Sequence, residues 1–273
     1  MHKTFQTSGP ISLYVEIGAG DLKVDAVETT ETEVHVAGRA ADEVTVEQRG
    51  DQIVVLSPPL RGGFFGTSHD LRVTVTMPLD SDLGAKLGSA DVVATGRYGA
   101  ARVKSGSGDI RLGDLTDDSV VETGSGDIEI AGSTGHLRIK AGSGDVAVGR
   151  AVSTVVVSAG SGSVQLGAAE DSASIKSGSG SIQVRDAHTD LSAVTGSGDV
   201  YVGQIHRGAV KAKAASGDIH IGVPAGVPVW TDISCISGHV RSNLQGAGQP
   251  EKGQDYIEIR ATTVSGDVNL SQL

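Results

Sequence analysis

From Leu87 to Gly203 apolar and polar residues alternate in short bursts that return on a fixed schedule. One burst carries pairs such as Leu137/Ile139 and Val155/Val157, and the next carries Ile110/Leu112, Ile128/Ile130, Val146/Val148 and Val200/Val202. Period-two alternation puts successive side chains on opposite faces, so each burst predicts a short strand with one buried face. No helix-period stripe interrupts them. Between the bursts the tripeptide Gly-Ser-Gly recurs six times, at 106–108, 124–126, 142–144, 160–162, 178–180 and 196–198, each start 18 residues after the last. A repeat of that length marks a solenoid built from one coil per repeat. Two strands of about five residues and two turns fill each coil, with coils stacked at roughly 4.8 Å. Outward positions support the register: Lys104, Glu122 and Lys140 fall in one column, Arg111 and Glu129 in another, with alternating sign. Opposite charges facing each other across strands are favourable and like charges are not.

Each corner is followed by Asp or Ser in a column that runs Asp91, Asp109, Asp127, Asp145, Ser163, Ser181, Asp199 and, after the period loosens, Asp218. The expected role is a structural turn ladder, with glycine supplying positive φ and Asp or Ser bonding the local backbone. Stacked carboxylates repel by roughly 1 kcal/mol per pair even in water. Backbone N–H donors would offset that repulsion. The rival is a calcium-binding β-roll. Ser163 and Ser181 speak against it, since Ca²⁺ favours carboxylate oxygens. No metal ligand set is assigned.

Residues 1–84 read as an N-terminal β region continuous with the solenoid, 85–210 as the regular repeats, and 211–273 as irregular terminal coils and a C-terminal cap. Residues 11–17 alternate cleanly before a degenerate corner at Gly18–Asp21. Arg49-Gly50-Asp51 matches an adhesion tripeptide but also an ordinary hairpin turn. Phe64 and Phe65, adjacent aromatics in a Gly- and Pro-rich loop, are a candidate partner-binding tip or a cover for the open core. After Gly203 the corners recur at Ser216-Gly-Asp218, Ser237-Gly-His239 and Ser265-Gly-Asp267, with Pro224, Pro228 and Trp230 as expected cap material.

Composition narrows the function. The chain has 33 acidic against 22 basic residues and a net charge of −11, which argues against nucleic-acid binding. The single cysteine, Cys235, permits no internal disulfide, and no apolar stretch approaches a membrane span or an export signal. The expected location is the cytoplasm, without membrane insertion. Of the eight histidines only His188 and His206 share a column, with Asp186 and Asp190 nearby. Two stacked imidazoles could hold a metal, but the expected reading is a solvated loop. No nucleophile elbow, phosphate loop or paired-His motif is present. Polysaccharide-cleaving β-helices would want long lateral loops and exposed aromatics. No enzyme, catalytic residue or cofactor is therefore expected.

The corner series, the opening Ile11-Ser-Leu-Tyr-Val-Glu-Ile-Gly-Ala-Gly-Asp21 and the Val103-Lys-Ser-Gly-Ser-Gly-Asp109-Ile units resemble the bacterial β-strand-repeat "putative adhesin" family, also called toastrack. The glycine and alanine richness resembles actinobacterial members. The resemblance implies a right-handed single-stranded parallel β-helix and a link, in some members, to cell-envelope stress systems. It brings no catalytic residues. The expectation is an all-β, non-enzymatic scaffold with 18-residue coils that binds a protein or envelope component, as a monomer or weak end-to-end oligomer. The alternative is a structural protein that polymerises end to end.

Overall fold

The computed structural model describes residues 1–57, 70–246, 248 and 253–273. Among them every regular element is a strand apart from one 3₁₀ turn, Ala41–Glu43, and no helix is long and apolar enough to cross a membrane. It forms two compact units, Met1–His136 and Leu137–Leu273.

In the first unit, each coil from Asp82 onward contributes one strand to each of two sheets. One sheet contains Asp91–Tyr98, Ile110–Leu115 and Ile128–Ser133, and the other Asp82–Leu87, Ala101–Ser105 and Ser119–Thr123. Pairing is parallel and joins residues 18 apart, as in Val103 with Val121 and Ile110 with Ile128. The predicted register is therefore the observed one. Lys104 reaches Glu122 at 3.4 Å and Arg111 reaches Glu129 at 3.6 Å. Between the sheets lies a narrow aliphatic core of residues such as Leu83, Ile110, Leu112, Val121, Ile128 and Ile130, all buried. Burying each such side chain contributes on the order of 1.5–3 kcal/mol, offset by the entropy of ordering it.

The N-terminal strands join these same sheets but change direction. Ala19–Val27 runs parallel to Asp91–Tyr98 and to Asp70–Pro78. Glu31–Ala37 then lies antiparallel on Asp70–Pro78, and His2–Gln6 antiparallel on Glu31–Ala37. In the other sheet Thr45–Arg49 and Gln52–Leu56 form a hairpin whose turn is Gly50-Asp51, with Gly50 at φ 62°. The Arg-Gly-Asp tripeptide thus lies exposed at that turn. A bulge at Thr95–Gly96 shifts the register against Ile110–Leu115. Beyond it Tyr98 is fully buried, its hydroxyl lying 2.8 Å from Val24 O and 2.9 Å from Thr95 O. Burial pushes that phenol's pKa well up.

The second unit repeats the plan with parallel pairing throughout. Its sheets stack Val146–Ala151, Val164–Ala169, Ile182–Ala187, Val200–Ile205 and Ile219–Val223 in one layer, and Leu137–Ala141, Val155–Ala159, Ala173–Ser177, Leu191–Ser197 and Gly208–Ser216 in the other. Then stacking order departs from chain order. Ile257–Ser265 pairs with Gly208–Ser216 on one side and with Val229–Ser237 on the other. Val268–Gln272 likewise sits between Ile219–Val223 and Val240–Ser242. The last strands are inserted one coil in, and the coil formed by residues 229–242 is outermost. Trp230, expected as cap material, lies on that outer strand with its side chain half-exposed. Alternation alone carries no information about which strand pairs with which, so this order was invisible in the sequence.

The corner glycines divide on the expected positive φ: Gly198, Gly217, Gly238 and Gly266 have it, at 145–156°, and Gly126 does not. A Cβ built on it would meet the Gly108 carbonyl of the preceding coil and lie 3.0 Å from Asp109 N. Crowding between stacked coils, rather than a left-handed conformation, excludes side chains there.

Candidate functional site

The Asp and Ser column forms at the corners as a ladder of side chain to main chain bonds, but each bond runs to the neighbouring coil instead of the local turn. In the first unit Asp91 Oδ1 accepts from Asp109 N at 2.9 Å, and Asp109 Oδ1 from Asp127 N at 3.0 Å. In the second, Asp145 Oδ1 accepts from Ser163 N at 2.8 Å, and Ser181 Oγ from Asp199 N at 3.1 Å. Asp199 accepts from Asp218 N and Asp218 from Asp267 N, at 2.8 and 2.7 Å. Asp267 completes the series by accepting from His239 N at 2.9 Å, in the outermost coil. That bond, helped by the Arg241 guanidinium, holds the Asp267 carboxyl below the usual aspartate range. Every acidic side chain named here is engaged by an amide. Behind the ladder, buried hydroxyls brace the same corners: Ser105, Thr123 and Ser177 accept from Gly108 N, Gly126 N and Gly180 N.

The opposite corner carries a second ladder, which the Gly-Ser-Gly motif does not mark. Asp82, Asp118 and Asp190 accept from Ala100 N, His136 N and Ala209 N, at 2.8, 2.9 and 2.8 Å. The signal was available, because these positions lie at multiples of 18 from one another. This also settles the place of Asp190: its carboxylate serves the backbone of the next coil and stands apart from the histidines.

His188 and His206 follow directly on Ile182–Ala187 and Val200–Ile205, so strand pairing stacks them. Their rings lie 4.5 Å apart between centroids, tilted by 29°. Asp186 lies between their inner nitrogens, with His206 Nε2 at 2.8 Å from Oδ1 and His188 Nε2 at 3.3 Å from Oδ2. The group is half-exposed. Among the described residues it is the one cluster of three His, Cys, Asp or Glu donors with atoms all within 4.8 Å of one another. The sequence placed the two imidazoles in one column; that the carboxylate turns toward both is a structural finding.

Phe64 and Phe65, the candidate partner-binding loop, lie outside the described residues. Exposed apolar side chains occur instead on and beside the outermost coil: Trp230, Ile236 and Val240, with Tyr256 and Val264 on or next to the adjoining strand. Arg260 packs over the Trp230 ring at 5.7 Å. In interior coils the inward row is sealed, as at Ile257, Ile259 and Ala261, each 0% exposed. Of the positions paired with them, Val229 and Ile233 are only half-buried and Thr231 is exposed, and Cys235, opposite Thr263, is half-buried. The 21- and 28-residue corner spacings that flank this region were the available hint.

No curated protein matches the chain. Among solved structures, the fold is similar to a "putative lipid binding protein" from Parabacteroides distasonis at 16% identity, covering 99% of this chain and 96% of that one, with a TM-score of 0.51. It is also similar to a "putative adhesin" from Bacteroides fragilis at 15% identity, covering 99% and 96%, with a TM-score of 0.35. The family model for Toastrack DUF4097 matches residues 10–271, which takes in both units and both corner ladders, and the chain belongs to that family.

Proposed function

We propose that this chain is a non-enzymatic β-solenoid scaffold that binds a protein partner, an envelope component being the expected kind, at the coil formed by residues 229–242. The observation that carries this reading is the coil's incompleteness. Among the described residues Val229–Ser237 and Val240–Ser242 each stand last in their sheet, and the half-buried Val229, Ile233 and Cys235 present apolar side chains, interrupted by the exposed Thr231, beside a strand edge. A parallel edge of this kind accepts an added strand, whose main chain supplies affinity while alternate side chains fill the row. The ladders belong to the scaffold: their carboxylates are committed to amides and converge on no common point.

A second copy of the chain is the other occupant with support, because one coil end offers both sheet edges at once. Sedimentation across a concentration series, on the native protein and on Ile233→Lys, separates the two. A native monomer that captures an envelope protein, with capture lost in Ile233→Lys, supports the scaffold. Concentration-dependent particles abolished by the same substitution favour end-to-end assembly. Capture unaffected by Ile233→Lys, or glycan turnover lost with a corner Asp, would overturn the proposal.

A further inference from the structure

We propose that Asp186, His188 and His206 form a binding site for a divalent transition ion of the zinc class. The inference is independent of the partner surface at residues 229–242.

Three features carry it. The first is donor chemistry. Two imidazole nitrogens and one carboxylate oxygen suit zinc and its neighbours in the transition series, whereas calcium and magnesium prefer all-oxygen shells. The second is spacing. Tetrahedral zinc with bonds of 2.0–2.2 Å holds its ligand atoms about 3.3 Å apart. Here His206 Nε2 lies 2.8 Å from Asp186 Oδ1, His188 Nε2 lies 3.3 Å from Oδ2, and all three donors fall within 4.8 Å. An ion therefore enters once side-chain rotation draws the donors from at most 4.8 Å toward about 3.3 Å.

The third feature is preorganisation. His188 N donates to Ala169 O at 2.8 Å and His206 N to Ala187 O at 3.0 Å, so stacked strands fix both backbones. Strand spacing holds the rings 4.5 Å apart before any ligand arrives. The neighbouring acidic side chain of the same column, Glu170, is paired with Arg150 and leaves the triad to itself. With each of the three side chains between 35% and 44% exposed, the remaining coordination positions open to water or to a ligand from outside.

The test is calorimetric titration of the full chain with zinc chloride, alongside cobalt(II) titration followed by visible absorption. The expected result is one ion per chain and a cobalt spectrum of nitrogen–oxygen ligation. Asp186→Asn should weaken zinc binding by about tenfold or more, and His188→Gln with His206→Gln should abolish it. The melting temperature of the metal-free variants reports that the fold is intact, since all three side chains are partly exposed. Failure of the native chain to bind zinc at micromolar concentration would overturn the proposal. So would unchanged binding in the double variant, which would place the ion elsewhere, for example near the tilted pair His2 and His35.

Discussion

Replacing Gly126 with alanine tests the packing of the corners directly. The added Cβ would lie 3.0 Å from Asp109 N and closer still to the Gly108 carbonyl, both main-chain atoms of the preceding coil. Carbon prefers neighbours at about 3.5–4.0 Å, so the coils must part locally by roughly 0.5–1 Å. Three bonds hold them against that movement: Gly124 N to Ser105 O at 3.2 Å, Ser125 N to Gly106 O at 3.2 Å, and Asp127 N to Asp109 Oδ1 at 3.0 Å. Weakening two or three of these at about 1 kcal/mol each, with overpacking, gives a loss of about 2–4 kcal/mol. For a chain of this size the melting temperature would fall by roughly 4–7 °C. Calorimetry against Gly9→Ala, where nothing lies within 4 Å, supplies the control. Asparagine sharpens the test. It tolerates left-handed backbone better than alanine does, so a φ requirement predicts that Gly126→Asn is the milder change. Crowding predicts that it is as harmful or worse. An unchanged melting temperature in Gly126→Ala, or a milder asparagine variant, would refute the reasoning.

Asp109→Ala removes the acceptor for Asp127 N and should cost about 1 kcal/mol, while Asp109→Asn keeps an acceptor oxygen and should cost less than half of that in urea unfolding. Tyr98→Phe leaves two buried carbonyls facing a ring edge and should cost about 1–2 kcal/mol by the same measurement. Acid should destabilise the protein in a defined window. The Arg97 guanidinium holds the Asp80 carboxyl below its ordinary value of 3.8, and the His239 amide does the same for Asp267. Their stabilisation is complete above that value and is lost as pH falls through the lowered one. Melting temperature should therefore drop below about pH 4, and the drop should be smaller in Arg97→Gln.

The regular coils were legible because a single constraint, side chains 18 residues apart stacking in one column, fixes strand, face and register together. Ile110 over Ile128 and Lys104 beside Glu122 follow from it without further assumption. The same column placed His188 over His206. What the column cannot carry is anything set across coils by the main chain. Gly126 reads alike whether it supplies positive φ or makes room for a carbonyl. Asp109 reads alike whether it caps its own turn or the turn one coil away. Where spacing breaks down, in the antiparallel strands before Asp82 and the coils after Gly208, alternation still marked strands but gave no partners. The half-buried row at Val229, Ile233 and Cys235 depends wholly on those partners, and so does the proposed binding surface.

The insertion of Ile257–Ser265 between Gly208–Ser216 and Val229–Ser237 has a consequence for biosynthesis. A solenoid whose coils stack in chain order can fold as it leaves the ribosome, each turn templated by the one before. Here residues 229–242 are translated before the strands they rest on. In the meantime the nascent segment meets the free margin of Gly208–Ser216, to which the later strand aligns Gly208 with Ile257 and Ile257 with Val229. Premature docking there would be in frame and would have to be undone, so the final stage of maturation is a contest between an early arrival and the rightful neighbour.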